Sequence, residues 1–122
     1  MKLINDLFEV IESSDSEASF VTTIKLNAGH LIYSGHFPGH PVTPGVIQLQ
    51  IVHELLEKHF CKNLKLLTLF QCKFLKILNP NETSRLVVYI EFNCVGDLLN
   101  IKARGENGTT IFFKMDSTYQ FI

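Results

Sequence analysis

At 122 residues the chain can build one hydrophobic core but not two, and 46% apolar with 19% charged residues excludes a disordered segment. A formal net charge of −1 excludes the basic surplus that a general nucleic-acid or anionic-membrane binder needs. Three cysteines, Cys61, Cys72 and Cys94, are odd in number and lack ligand spacing, which predicts reduced thiols rather than disulfides or a metal site.

In chain order, residues 2–12 are apolar with scattered acids and fit a short helix or a first strand equally. Acids interrupt this stretch too early for a signal peptide, and no apolar run approaches the ~20 residues that span a bilayer. A single cytoplasmic domain, residues 1–122, is expected. Ser13–Glu17 reads as a polar turn, and Ala18–Leu26 is rich in β-branched residues and reads as a strand. From Ser34 the chain packs three prolines and three glycines around His36 and His40, a density that forbids helix and predicts a stiff, bent loop.

A helix is predicted from about Pro44 to His59, with Pro44 in its first turn and the Thr43 hydroxyl as its cap. Val46, Ile47, Leu49, Ile51, Val52, Leu55 and Leu56 surround it, so it should be buried nearly all round. Leu64–Leu78 reads as one long or bent strand, Asn79–Glu82 as a turn, and Arg85–Val95 as an alternating strand. Gly96–Asp97 turns the chain into Leu98–Arg104, and Asn107–Gly108 is the strongest hairpin signal, leading into Thr109–Phe121. One long helix followed by an antiparallel meander makes an α+β domain. Phe112, Phe113 and Met115, with Leu86, Val88 and Ile90, suggest apolar residues on both sheet faces and hence burial against another subunit.

The loop leaves His36 and His40 beside a helix N-terminus, where backbone N–H groups and the dipole favour developing negative charge. The stretch His36–Val46 resembles the signature of 3-hydroxyacyl-[acyl-carrier-protein] dehydratases. Lys73–Glu82 is similar to that family's basic-aromatic strand and following turn, so the resemblance covers essentially the whole chain. It implies a hot-dog fold, an antiparallel sheet wrapped around one central helix. It also implies a homodimer or trimer of dimers with sites shared across the interface, an acyl thioester on an acidic acyl carrier protein as substrate, and no cofactor or metal.

Dehydration of a 3-hydroxyacyl thioester needs a base at the carbon beside the carbonyl, donors for the enolate-like oxygen, and an acid for the departing hydroxyl. His36 suits the base and occupies the family's catalytic position, while His40 matches a histidine that bonds within the loop. Gly45 is expected to offer its N–H to the thioester oxygen, and Phe37, Val46 and Phe74 to line an acyl tunnel. Lys73 and Lys76 are the candidates for the carrier protein, with a solvated charged face as the alternative. His30, His53 and His59 are expected in surface or packing roles. The departure is at Gln50, fourteen residues after His36, where the resemblance places a carboxylate. An amide cannot supply a proton as an acid. Glu54 stands one turn on, where the family has Gln, so the pair is exchanged, and Glu54 is the candidate to take over the acid role. Three readings follow: a dehydratase, a non-catalytic binding or assembly subunit, and a hot-dog thioesterase.

Overall fold

The computed structural model describes residues 2–35 and 39–122. Six strands form one sheet: β1 (Phe8–Asp15), β2 (Ser19–Leu26), β3 (Leu64–Phe74), β4 (Arg85–Val95), β5 (Leu98–Asn107) and β6 (Thr110–Phe121). A short 3₁₀ turn, Leu31–Tyr33, and the helix α1, Gly45–Phe60, lie between β2 and β3. The sheet order is β1-β2-β4-β5-β6-β3, with every pair antiparallel, so β1 and β3 are its edges.

The two-residue period of the strands decides what meets the helix. On the inner face one row runs through Phe20, Ile90, Ala103, Met115 and Cys72 across five strands. The helix presents Ile47, Ile51, Val52, Leu55 and Leu56 to this face, and all are buried. Its last turn is packed by rings: Phe60 stands edge-on to Phe92 and Phe121, while His59 stacks on Phe20 at 4.1 Å.

Several expectations shift. Of the two readings of the N-terminal stretch, the strand is present, but it begins only at Phe8 and runs to Asp15, moving the turn to residues 16–18. The β3 strand ends at Phe74; Leu75 still donates its N–H to the Phe112 carbonyl of β6, and residues 76–78 leave the sheet. The last hairpin closes one residue later than read, at Gly108–Thr109, with Gly108 at φ +60°. Asn107 stays in register and donates its side-chain amide to the Arg85 carbonyl at 2.8 Å. Thr43 does not cap α1; its hydroxyl pairs with the Tyr33 hydroxyl at 3.0 Å, and the N-cap position is Pro44.

The helix is not buried all round, since Val46 is 70% exposed. Nor do Phe112, Phe113, Met115, Leu86, Val88 and Ile90 call for a second subunit, because this one chain already buries them. Exposed apolar residues gather instead on β3 and just beyond it, at Leu66, Leu67, Leu69, Phe70, Phe74, Leu75 and Ile77, with Ile11, Leu31, Val46, Val95 and Ile122 scattered elsewhere. No helix is long and apolar enough to cross a membrane among the described residues.

Candidate active site

His36 and Phe37, expected as base and tunnel residue, lie outside the described residues. The loop leads into α1. Three bonds hold its exit at Thr43: the Thr43 N–H donates to the Leu78 carbonyl at 2.8 Å, Gln48 donates its side-chain amide to the Thr43 carbonyl at 2.9 Å, and Tyr33 reaches the Thr43 hydroxyl. All are shielded from water, where a hydrogen bond left unmade is expensive. Burial pushes the Tyr33 hydroxyl above its ordinary pKa, so it stays a neutral hydrogen-bonding group. This clamp sets where α1 begins.

In the first turn the N–H groups of Ile47 and Gln48 reach back to the Pro44 carbonyl at 3.0 and 3.1 Å. Those of Gly45 and Val46 precede any intrahelical acceptor, as at every helix start. Gly45 opens onto a cleft of about 300 Å³ walled by Val42, Gln48, Phe74, Lys76 and Ile77. The ring of Phe74 lies directly on Gly45, so two of the three described residues expected at the substrate are brought together. Val46, the third, does not line this cleft. Of the two lysines expected to meet the carrier protein, Lys76 lines it, whereas Lys73 stands on the outer face of β3, opposite Lys114.

Gln50 and Glu54 meet directly, Gln50 Nε2 donating to Glu54 Oε2 at 2.9 Å. Glu54, expected as a proton donor, is engaged as an acceptor. Its carboxylate receives the backbone N–H of Leu3 at 2.8 and 2.9 Å and that of Ile4 at 2.8 Å, besides the Gln50 amide. It is only 6% exposed, and three N–H groups fill it. Sequence reasoning could not see the N-terminal donors, which lie about fifty residues away. It also passed over Gln48, although a lone amide on the apolar face of the helix signalled a buried polar role.

The other histidines serve packing and local pairing. His30 accepts the Ile32 N–H and meets Asp6 at 3.1 Å; His53 lies 3.4 Å from Glu57; His59 stacks on Phe20. His40 is exposed, and the bonding within the loop expected of it is not present among the described residues. The three cysteines are free, with Cys61 and Cys94 exposed and the partly buried Cys72 thiol pushed up by burial. No group of three metal-ligating side chains stands together among the described residues.

A family model described as ApeI-like, ApeI dehydratase, matches residues 12–111. A 3-hydroxyacyl-[acyl-carrier-protein] dehydratase FabZ of Wolbachia pipientis wMel is 32% identical over 71 residues, 52% of this chain and 50% of that protein. The matched region thus spans only half the length of that relative. Among solved structures, the dehydratase heterocomplex ApeI:P from Xenorhabdus doucetiae superposes with a TM-score of 0.74 at 18% identity, covering 91% of this chain and 96% of that one. The (R)-hydratase from A. caviae involved in PHA biosynthesis follows with a TM-score of 0.66 at 10% identity, covering 89% and 99%. A hypothetical thioesterase with coenzyme A from Streptococcus pneumoniae gives 0.67 at 12%, covering 94% and 85%. At these identities the superpositions establish the hot-dog fold alone. With 100 of 122 residues inside the family match, the chain belongs to the ApeI-like dehydratases.

Proposed function

We propose that the chain removes water from a 3-hydroxyacyl thioester, presented on an acyl carrier protein, to give the trans-2-enoyl thioester in fatty-acid or related lipid or polyene synthesis. The observation that carries this reading is the start of α1, with Gly45 beneath Phe74 at a cleft and Gln50 farther along the same helix. His36 takes the proton from the carbon beside the carbonyl. The negative charge that develops on the thioester oxygen is met by the Gly45 N–H at the positive end of the helix dipole. As the 3-hydroxyl leaves, the proton held on His36 returns to it, and the departing group is water. Gln50 holds that hydroxyl by hydrogen bonding without supplying a proton, and Glu54 fixes the Gln50 amide by accepting its N–H. The cleft wall, with Phe74 and Ile77, takes the apolar chain; Lys76 and Lys73 face the acidic carrier. The exposed β3 edge is the surface on which a second hot-dog chain pairs.

A second reading, a binding or assembly subunit without turnover, is favoured by one observation: the helix turn after Gly45 carries Gln50, and Glu54 is taken up by the N-terminal backbone. Turnover of 3-hydroxybutyryl and longer 3-hydroxyacyl carrier thioesters separates the two. The dehydratase reading expects enoyl product from the wild type and a loss of about 10²–10⁴-fold in folded His36→Ala. An inactive wild type that still binds these thioesters, and gains turnover in Gln50→Glu, establishes the second. Release of free thiol instead identifies a thioesterase.

A further inference from the structure

Two polar side chains of α1 are buried, Glu54 and Gln48. Both oxygens of Glu54 are engaged, but only half of the Gln48 amide is. Its Nε2 donates to the Thr43 carbonyl at 2.9 Å and so holds the loop exit. Its Oε1 meets no donor among the described residues, although the residue is only 3% exposed. A buried acceptor is expensive to leave unmade, and one kept in a folded chain calls for an explanation. The donors of the clamp are already spent: the Thr43 N–H on Leu78, the Gln48 N–H on Pro44, and the Tyr33 and Thr43 hydroxyls on one another. Gln48 also lines the cleft of about 300 Å³ at the start of α1, among apolar side chains and Lys76. The donor that suits Oε1 is therefore one that a ligand brings into the cleft.

A 3-hydroxyacyl thioester on a carrier offers two kinds of donor, the 3-hydroxyl and the secondary amides of the arm that bears the sulfur. The reading above gives the hydroxyl to His36 and Gln50. Gln50 is not a wall of this cleft, and side chains two apart on a helix do not face each other, so Gln48 does not share that hydroxyl with it. Gly45 and Gln48, three apart, do share a side of α1, with an offset of about 4.5 Å along its axis, and both border the cleft. The first amide of the arm follows the sulfur by two methylenes, a short step from a thioester oxygen held at the Gly45 N–H. Lys76, on the same cleft, marks the side from which an acidic carrier would present that arm. We propose that Gln48 Oε1 accepts the N–H of the arm's first amide and is thus a specificity-determining residue for amide-bearing thioesters. This deepens the function proposed above and rests on its carrier-thioester substrate, but not on turnover.

A pair of small thioesters supplies the probe. Butyryl N-acetylcysteamine thioester carries the first amide of the arm and no 3-hydroxyl, so it cannot lose water and any preference for it is not owed to that hydroxyl. Its counterpart with the N–H replaced by an ester oxygen lacks only the donor. Calorimetric titration of the wild type is expected to show the amide bound about tenfold more tightly than the ester. In Gln48→Met, which keeps the length of the side chain and deletes both amide groups, the preference should fall below about twofold, with the far-ultraviolet spectrum verifying the fold. Loss of the Thr43 contact could unfold that variant, so a second measurement uses the wild type alone. The Gln48 side-chain amide signals in a nuclear magnetic resonance titration should shift with the amide thioester and stay in place with the ester. Equal binding of the two ligands by the wild type overturns the proposal and leaves Oε1 to water. So do a preference that survives in folded Gln48→Met, Gln48 signals that respond alike to both ligands, and an amide thioester that does not bind. Turnover of 3-hydroxyacyl thioesters alongside any of these results leaves the dehydratase reading standing, so the two failures are distinct.

Discussion

A Cβ added at Gly45 would lie 2.6 Å from two carbons of the Phe74 ring, closer than such atoms approach one another in folded proteins. Glycine is required there by the neighbour rather than by the backbone angle, and the same contact fixes the ring that walls the cleft. Gly45→Ala is therefore expected to destabilise the fold by about 1–3 kcal/mol, the usual range for forced overpacking, unless the ring swings outward. Phe74 is partly exposed and has somewhere to go, so the double variant Gly45→Ala/Phe74→Ala should lose clearly less than the sum of the singles. Urea unfolding of the four proteins measures this coupling; strictly additive losses would mean that the ring does not bear on Gly45. The histidine–proline–glycine string announced this site because its chemistry is local. The Phe74 contact was legible only as two residues of one family pattern, since nothing in a sequence states that a ring will lie on a glycine.

At the scale of elements, the N-terminal segment and α1 form one unit. Leu3 and Ile4 donate their backbone N–H groups to Glu54, which in turn accepts from Gln50, so a single carboxylate ties the chain terminus to the helix that bears the site. Glu54→Ala removes the acceptor from two main-chain donors. Glu54→Gln sets an NH2 group against N–H donors at part of the same contact. Ile4 and Glu54 also border an open groove of about 900 Å³, from which water can replace part of what is lost. The expected cost of Glu54→Ala is thus about 1–3 kcal/mol, with faster hydrogen exchange at Leu3 and Ile4 and little change in the central strands. Unchanged protection at those two amides would refute the tie. The sequence placed α1 and three of the six strands, β2, β4 and β6, within a residue or two, because periodicity and turn residues act over short distances. It missed the end of β3, where the apolar run continues through Leu75 and Ile77 and only partners far away decide the path. Leu75 donates to the Phe112 carbonyl, and the Leu78 carbonyl receives the Thr43 N–H. The exchange of Gln50 and Glu54 was visible as a departure, but its meaning depended on donors at the other end of the chain.

For the whole molecule, the sheet closes over α1 with few polar groups between them, and the fate of those groups sets how the fold responds to pH. Tyr119 is the largest fully buried side chain, 1% exposed, on β6 beneath His53. Burial pushes its hydroxyl from 10.0 up to about 12, with the nearby Cys72 and Glu57 adding to the rise. The direction of the linkage follows. The folded chain keeps this proton to a higher pH than the unfolded chain does, so the unfolded state binds fewer protons between about pH 10 and 12, and stability falls as pH rises through that window. Below pH 10 both states hold the proton and the contribution is fully present. A two-unit difference corresponds to on the order of 2–3 kcal/mol lost by pH 12. Lysines titrate in the same range, so the effect is isolated by comparison with Tyr119→Phe, which keeps the ring and deletes the ionisable hydroxyl. In urea unfolding from pH 8 to 12, the wild type should lose stability more steeply than Tyr119→Phe, the difference between them changing by on the order of 2 kcal/mol in the variant's favour. Parallel pH curves for the two proteins would mean that Tyr119 ionises in the folded chain as readily as in the unfolded one, and that the closure of the sheet over the helix admits water at this point.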